Sequence, residues 1–100
     1  MDHPLLKLLG KRILVIDGAM GTSIHARSLS LADDFRGHEN CSEILNETRP
    51  DVIEDIHHSF LRVGAGAVET NTFGANRIVL GEFGLADRAY ALNKLGAEVA

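Results

Sequence analysis

The carboxylate of Asp17 is followed at once by small residues, in the stretch IDGAMGT that covers residues 16–22. Small side chains let a ligand approach backbone N–H groups, and such amides at a helix start attract an anion such as a carboxylate. Asp17 beside them can pair with an ammonium, so the stretch suits the charged end of an amino acid. A tight strand-to-helix turn, with Asp17 capping the backbone, explains the same residues. The stretch fits neither nucleotide-binding glycine pattern.

A second polar stretch, ETNTFGAN, covers residues 69–76 and follows an apolar run. Glu69, Asn71 and Thr72 are costly to bury at the end of a strand unless they are hydrogen-bonded. They either line a ligand pocket or satisfy the loop backbone around Gly74, and the residues alone leave both interpretations open.

Cys41, three residues after His38, and the adjacent pair His57 and His58 raise the question of zinc. A structural zinc site needs four ligands and a catalytic one needs three. Neighbouring residues on a helix diverge by about 100°, so His57 and His58 are poorly placed to hold one ion together. We therefore predict solvated histidines and a loop thiol at Cys41, and we assign no metal ligand and no catalytic residue.

The elements that must position these stretches alternate between extended and helical patterns. Residues 13–16, an unbroken aliphatic run, and residues 67–73 predict strands of a parallel sheet, the first buried on both faces. Residues 49–63 carry the strongest helical pattern, with apolar residues on one face, Pro50 in the first turn and a capping-box sequence at residues 48–51. Shorter helices are predicted over residues 3–9, 22–29, 77–83 and 86–100, and an irregular loop over residues 31–47.

Two parallel strands joined by a helix form a right-handed βαβ unit, and ligands of such folds bind at the carboxyl ends of the strands. Both polar stretches follow a predicted strand, so they are expected at that edge. Two strands bury too little surface to be stable alone. We therefore expect an α/β fold in which this chain is the opening of a larger domain.

Composition narrows the function classes. The 100 residues are 45% hydrophobic and 24% charged, with a net charge of −4, which is typical of one small globular domain. Lys and Arg are not clustered, which argues against a nucleic-acid partner. No segment approaches the roughly 20 apolar residues of a membrane span. A single cysteine and an N-terminus unlike a signal peptide favour the cytoplasm.

Three motifs in a fixed order carry a family resemblance: DGAMGT, then CSEILNETRPD, then ETNTFGAN. Together they resemble the homocysteine-binding domain of the homocysteine S-methyltransferase family, in particular its cobalamin-dependent methionine synthase type. The similarity runs from about residue 13 to residue 84. It implies a (β/α)8 TIM-type barrel, of which residues 1–100 supply the N-terminal portion with about the first two βα units. It also implies an enzyme that transfers a methyl group to the homocysteine thiol, yielding methionine.

The resemblance implies a substrate site but no metal site in this chain. Asp17 and the backbone of residues 18–22 are expected to contact the ammonium and carboxylate of homocysteine, and Glu69, Asn71 and Thr72 to line the pocket mouth. The implied substrate-binding set is Asp17, Gly18, Ala19, Met20, Gly21, Thr22, Glu69, Asn71 and Thr72. In this family three cysteines on later strands hold a zinc ion, and the zinc holds the homocysteine sulfur as a thiolate. Its ligands are therefore expected outside this segment, and Cys41 is not one of them.

The resemblance is compatible with several domain arrangements and methyl donors. Cobalamin and methyltetrahydrofolate are cofactors that the resemblance allows through other domains, and a methylenetetrahydrofolate reductase domain is another fusion it allows. The methyl donor is undetermined, although Met20 favours the methionine synthase type over the betaine- or S-methylmethionine-using types. We expect the segment alone to be inactive. The alternatives are a truncated, non-catalytic product and a different α/β barrel that binds a phosphate at the first loop.

Overall fold

Six short α-helices and one pair of extended segments make up the computed structural model, which describes residues 3–100. Two 3-10 helices, Ser42–Ile44 and Ala86–Arg88, precede the third and sixth α-helices. The α-helices are α1 Pro4–Leu9, α2 Met20–His25, α3 Leu45–Thr48, α4 Pro50–Arg62, α5 Arg77–Gly81 and α6 Ala89–Val99. None of the helices within residues 3–100 is both long and apolar enough to cross a membrane.

The predicted helices are confirmed in place, with shifts at their ends. α4 occupies the predicted range to within one residue at each end, and α6 follows a 3-10 turn inside its predicted range. α2 begins earlier and ends earlier than residues 22–29. The prediction of an irregular loop over residues 31–47 is wrong for its last part, where Ile44 and Leu45 are buried in the 3-10 helix and α3.

The two predicted strands are wrong for the part of the chain that the structure describes. Residues 13–16 and 67–73 are extended segments joined by a single parallel bridge between Ile16 and Ala67. Two backbone hydrogen bonds flank it: Gly66 N–H donates to Val15 O at 2.8 Å, and Asp17 N–H donates to Ala67 O at 3.3 Å. A parallel ladder needs continuous pairing, and here each segment pairs along one edge over a short length.

The exposure of the first segment is also contrary to prediction. Ile13 is 91% exposed and Val15 is 60% exposed, so residues 13–16 are not buried on both faces. The parallel direction of the bridge agrees with the predicted βαβ order. Regular strands, and with them the two βα units, are not formed within residues 3–100.

α4 is a helix because one of its faces is apolar and its first turn tolerates proline. Pro50 occupies the first turn, where its missing N–H costs nothing. Val52, Ile53 and Ile56 are buried. The predicted capping box is wrong, because no side chain caps the first turn. Thr48 Oγ1 donates instead to Asp34 O and Ile44 O.

Two hydrophobic clusters form the core, and Phe35 packs against both. The first joins α2, α3 and α4, and the second joins the segment before α3 to α5 and α6. The buried members of the first are Ile24, Leu45, Val52, Ile53 and Ile56, and those of the second are Cys41, Ile44, Leu80 and Leu92.

A buried pair of asparagines connects α3, α6 and the second polar stretch. The Asn46 amide donates to Asn71 O at 2.8 Å and to Leu92 O at 3.2 Å, and it accepts from Asn71 Nδ2 at 3.0 Å. α6 approaches closely at Gly96, where an added Cβ would lie 2.9 Å from Asn46 Nδ2 and 2.7 Å from Thr72 Cγ2. This packing fixes residues 71 and 72 against the helices.

Candidate functional site

The single parallel bridge brings the two polar stretches together. Asp17 Oδ1 accepts the backbone N–H of Glu69 at 2.9 Å, so the carboxylate joins the first stretch to the second. A cavity of about 120 Å³ lies between them. Its lining is Asp17, Gly18, Ala19, Met20, Glu69, Thr70, Asn71, Thr72 and Phe73. The cavity lies where the carboxyl-end rule places a ligand of a parallel α/β fold.

Most of the predicted site residues meet at this cavity, and two do not. Gly21 and Thr22 lie in the first turn of α2, outside the lining. The sequence interpretation missed Thr70 and Phe73, which line both this cavity and an adjoining opening of about 390 Å³. Their signal was position alone, because they belong to the same ETNTF stretch as the residues that were predicted.

The backbone of the first stretch keeps its donors available. Ala19 has φ 49° and ψ 34°, a left-handed conformation, and stands at the N-cap of α2. The first hydrogen bond of the turn runs from Ser23 N–H to Ala19 O at 2.9 Å. Within residues 3–100 no backbone acceptor pairs with the N–H groups of residues 18–22. Several donors beside a cavity favour an anionic group.

Asp17 is a buried carboxylate whose two oxygens have different surroundings. Its side chain is 5% exposed. Oδ1 accepts the Glu69 N–H of the other stretch, and α2 has no side-chain cap, so Asp17 does not cap the turn that follows it. Oδ2 lies 3.9 Å from His57 Nδ1, too far for a hydrogen bond. Oδ2 is therefore the oxygen that can still accept a donor.

Asn71 and Glu69 differ in what they present to the cavity. The Asn71 side chain is turned inward, because its amide nitrogen donates to Ser42 O at 2.9 Å and to Asn46 Oδ1. Glu69 is exposed at the cavity. Thr72 Oγ1 lies 2.7 Å from Thr70 Oγ1, so these two hydroxyls share a hydrogen bond.

The prediction of solvated histidines is wrong for His57. His57 is only 3% exposed. The neighbouring His58 is exposed, and its Nε2 lies 3.5 Å from Glu54 Oε1. Burial lowers the pKa of His57, and the nearby Asp17 carboxylate opposes that shift. His57 follows the buried Ile53 by four residues on α4, which is the sequence signal that could have indicated its burial.

Cys41 is a buried thiol in front of the 3-10 helix, and burial raises its pKa. It is fully covered and belongs to the second hydrophobic cluster. A metal ligand has to be a thiolate, which this environment disfavours.

Comparison with known proteins decides the family. The sequence model of the family described as homocysteine S-methyltransferase matches residues 14–100. The chain belongs to this family. The resemblance drawn from the three motifs is therefore confirmed.

Two relatives extend the comparison beyond the matched range. Over 99 residues the chain is 54% identical to the methionine synthase of Mycobacterium tuberculosis (strain ATCC 25618 / H37Rv) and 52% identical to that of Mycobacterium leprae (strain TN). Both alignments cover 99% of this chain and 8% of the relative, so the chain spans a small part of the length of these proteins.

The residues of this homocysteine S-methyltransferase segment do not fit a zinc ion. Among residues 3–100 no three His, Cys, Asp or Glu side chains are grouped closely enough to hold a metal. Asp17 and His57 are close together, but they make only a pair. That the zinc ligands lie outside this segment stays a prediction.

Proposed function

We propose that residues 1–100 form the N-terminal portion of a homocysteine-binding barrel and hold the amino-acid end of homocysteine. The observation that carries the proposal is the cavity at which DGAM and ETNTF converge, joined by the bond from Glu69 N–H to Asp17 Oδ1. Family membership supports the same substrate. The (β/α)8 architecture is proposed for the parent protein, and the parallel bridge supports it.

The two charged groups of homocysteine would be held by different parts of this cavity. The unpaired N–H groups beginning at residue 18 favour the substrate carboxylate. Asp17 Oδ2, which accepts no hydrogen bond in residues 3–100, would accept the ammonium, and the exposed Glu69 would add negative charge at the mouth. Asn71 would support the site from behind through its bonds to Ser42 and Asn46.

The parent protein is proposed to be a methyltransferase that converts homocysteine to methionine, of the methionine synthase type. The names of the two mycobacterial methionine synthases support this activity. Zinc, cobalamin and methyltetrahydrofolate belong to the proposal only through segments outside residues 1–100. The identity of the methyl donor follows from those segments. A cytoplasmic enzyme without nucleic-acid or membrane partners is proposed from the composition.

The test is homocysteine binding by the full-length protein and its Asp17→Asn variant, measured by isothermal titration calorimetry. The asparagine keeps an oxygen for the Glu69 N–H but removes the charge that would pair with the ammonium. We expect binding to weaken about tenfold or more, as for loss of a charged hydrogen bond. Zinc content, measured separately by atomic absorption, should stay the same because Asp17 is not a ligand.

Asp87→Asn is the matched control, because the Asp87 side chain is 99% exposed and lies far along the chain from the cavity lining. Unchanged affinity in the Asp17 variant would remove Asp17 from the site. Displacement of homocysteine by sugar phosphates would favour the alternative barrel that binds a phosphate at the first loop.

A further inference from the structure

His57 is a buried polar side chain without a hydrogen-bond partner in the part of the chain that the structure describes. Its side chain is 4% exposed, and neither Nδ1 nor Nε2 has a hydrogen-bond partner among residues 3–100. Buried polar groups in native proteins are nearly always hydrogen-bonded, and each exception calls for an explanation. An apolar residue would suit this position on α4 better if packing were its only task, because its neighbours Ile53 and Ile56 are core residues.

The ring lies beside the carboxylate at the cavity. His57 Nδ1 lies 3.9 Å from Asp17 Oδ2, while the other oxygen of the same carboxylate holds the Glu69 N–H. α4 therefore stands next to the carboxylate that joins the two polar stretches. A shift of about 1 Å would bring Nδ1 within hydrogen-bond distance of Oδ2.

The protonation state of the ring suits a donor role. Burial disfavours the charged form and lowers the pKa of His57, which favours the neutral ring. A neutral imidazole carries one N–H and one acceptor nitrogen. A carboxylate only accepts, so the tautomer with its proton on Nδ1 is the one that Asp17 stabilises.

We propose that His57 is a positioning residue for the homocysteine site, whose Nδ1–H donates to Asp17 Oδ2 when the cavity is occupied. The bond fixes the rotamer of the carboxylate, and with it the spacing between the two stretches that line the cavity. His57 itself touches no substrate. This inference rests on the proposed function of the cavity.

Two substitutions in the full-length protein separate the donor position from packing. His57→Asn places an amide nitrogen near the position of Nδ1, and His57→Gln places one near the position of Nε2. We expect His57→Asn to bind L-homocysteine within about twofold of the unmodified protein, and His57→Gln to bind it about tenfold more weakly. In steady-state assays the loss should appear in KM for homocysteine, with KM for the methyl donor unchanged.

His58→Gln is the matched control, because His58 is the next residue on α4 and its side chain is 63% exposed. It should bind homocysteine as the unmodified protein does. Equal affinity in His57→Asn and His57→Gln, whether both are weak or both normal, would overturn the positioning role. Failure of the unmodified protein to bind homocysteine would refute the proposed function itself, and the inference with it.

A measurement on the unmodified protein covers the case in which the variants do not fold. Hydrogen exchange at the ring carbon of each histidine, read by mass spectrometry, reports the accessibility and protonation of that ring. Addition of L-homocysteine should change the exchange rate of His57, because the new bond alters its environment, and should leave His58 unchanged. An unaltered rate at His57 under saturating homocysteine would overturn the proposal.

Discussion

Replacing Asn46 by alanine should weaken the packing of α3 against α6 by about 3 kcal/mol. Asn46 is only 1% exposed. Its side chain takes part in three hydrogen bonds, two with Asn71 and one with Leu92. A buried hydrogen bond contributes about 1 kcal/mol net, so three of them give this magnitude. The cavity left by the shorter side chain acts in the same direction.

Hydrogen exchange of backbone amides is the suitable assay, because it reports the free energy of local opening in a protein of any size. Peptides that cover α3 and α6 should exchange faster in the variant, by a factor of about a hundred for 3 kcal/mol. Peptides that cover α1 should not change, since α1 contains no buried residue and makes no contact with Asn46.

Asn93→Ala provides the control for burial. The Asn93 amide donates to Ala75 O at 2.6 Å and to Ala89 O at 2.7 Å, but the residue is exposed and water can reach its amide; only the bond to Ala75 O is part-buried. Its loss should cost less than about 1 kcal/mol. If Asn46→Ala costs no more than Asn93→Ala, the buried asparagine pair does not stabilise this packing and the reasoning fails.

Three further predictions test other contacts. Gly96→Ala should destabilise the protein by about 1–3 kcal/mol, although alanine has a better helix propensity than glycine, because the new methyl would lie 2.7 Å from Thr72 Cγ2. Gly81→Ala, whose nearest contact would be at 4.0 Å, should be tolerated in the same thermal melts. Cys41 should react slowly with a thiol reagent in the native state and quickly in urea, because its thiol is buried and its pKa is raised; rapid native-state labelling would contradict its burial. Burial lowers the pKa of His57 below its usual 6.5, so the unfolded state binds a proton more readily than the folded state does. The free energy of unfolding should therefore fall as pH drops below 6.5. His57→Gln should reduce that fall, and an identical pH dependence would show that His57 is not its source.

The helices were accessible from the sequence because their signals are local. The apolar spacing and Pro50 sufficed to place α4, and Gly10 marked the end of α1. The convergence of the two polar stretches followed from the parallel connection, which the bridge between Ile16 and Ala67 bears out. The strands did not follow, because regular pairing depends on neighbours on both edges rather than on the residues of the strand itself.

The detailed surroundings of the site were not accessible from residue types. The sequence interpretation treated His57 and His58 alike as solvated, whereas only His58 is exposed. The burial of His57 depends on how α4 is rotated against the extended segments, which is a tertiary property. Asn71 shows the same limit: its position in the second stretch was predicted, but its inward amide depends on Asn46, which is 25 residues away in sequence.

The unpaired edge of residues 13–16 has a consequence for handling this polypeptide. The N–H and C=O of Ile16 have no backbone partner among residues 3–100, and the aliphatic side chains of Ile13 and Val15 beside them are exposed. An uncovered edge of this kind is a template for intermolecular strand addition and aggregation. Whatever chain covers it in the parent protein therefore has two tasks, which are to complete the sheet and to keep separate molecules from joining along it.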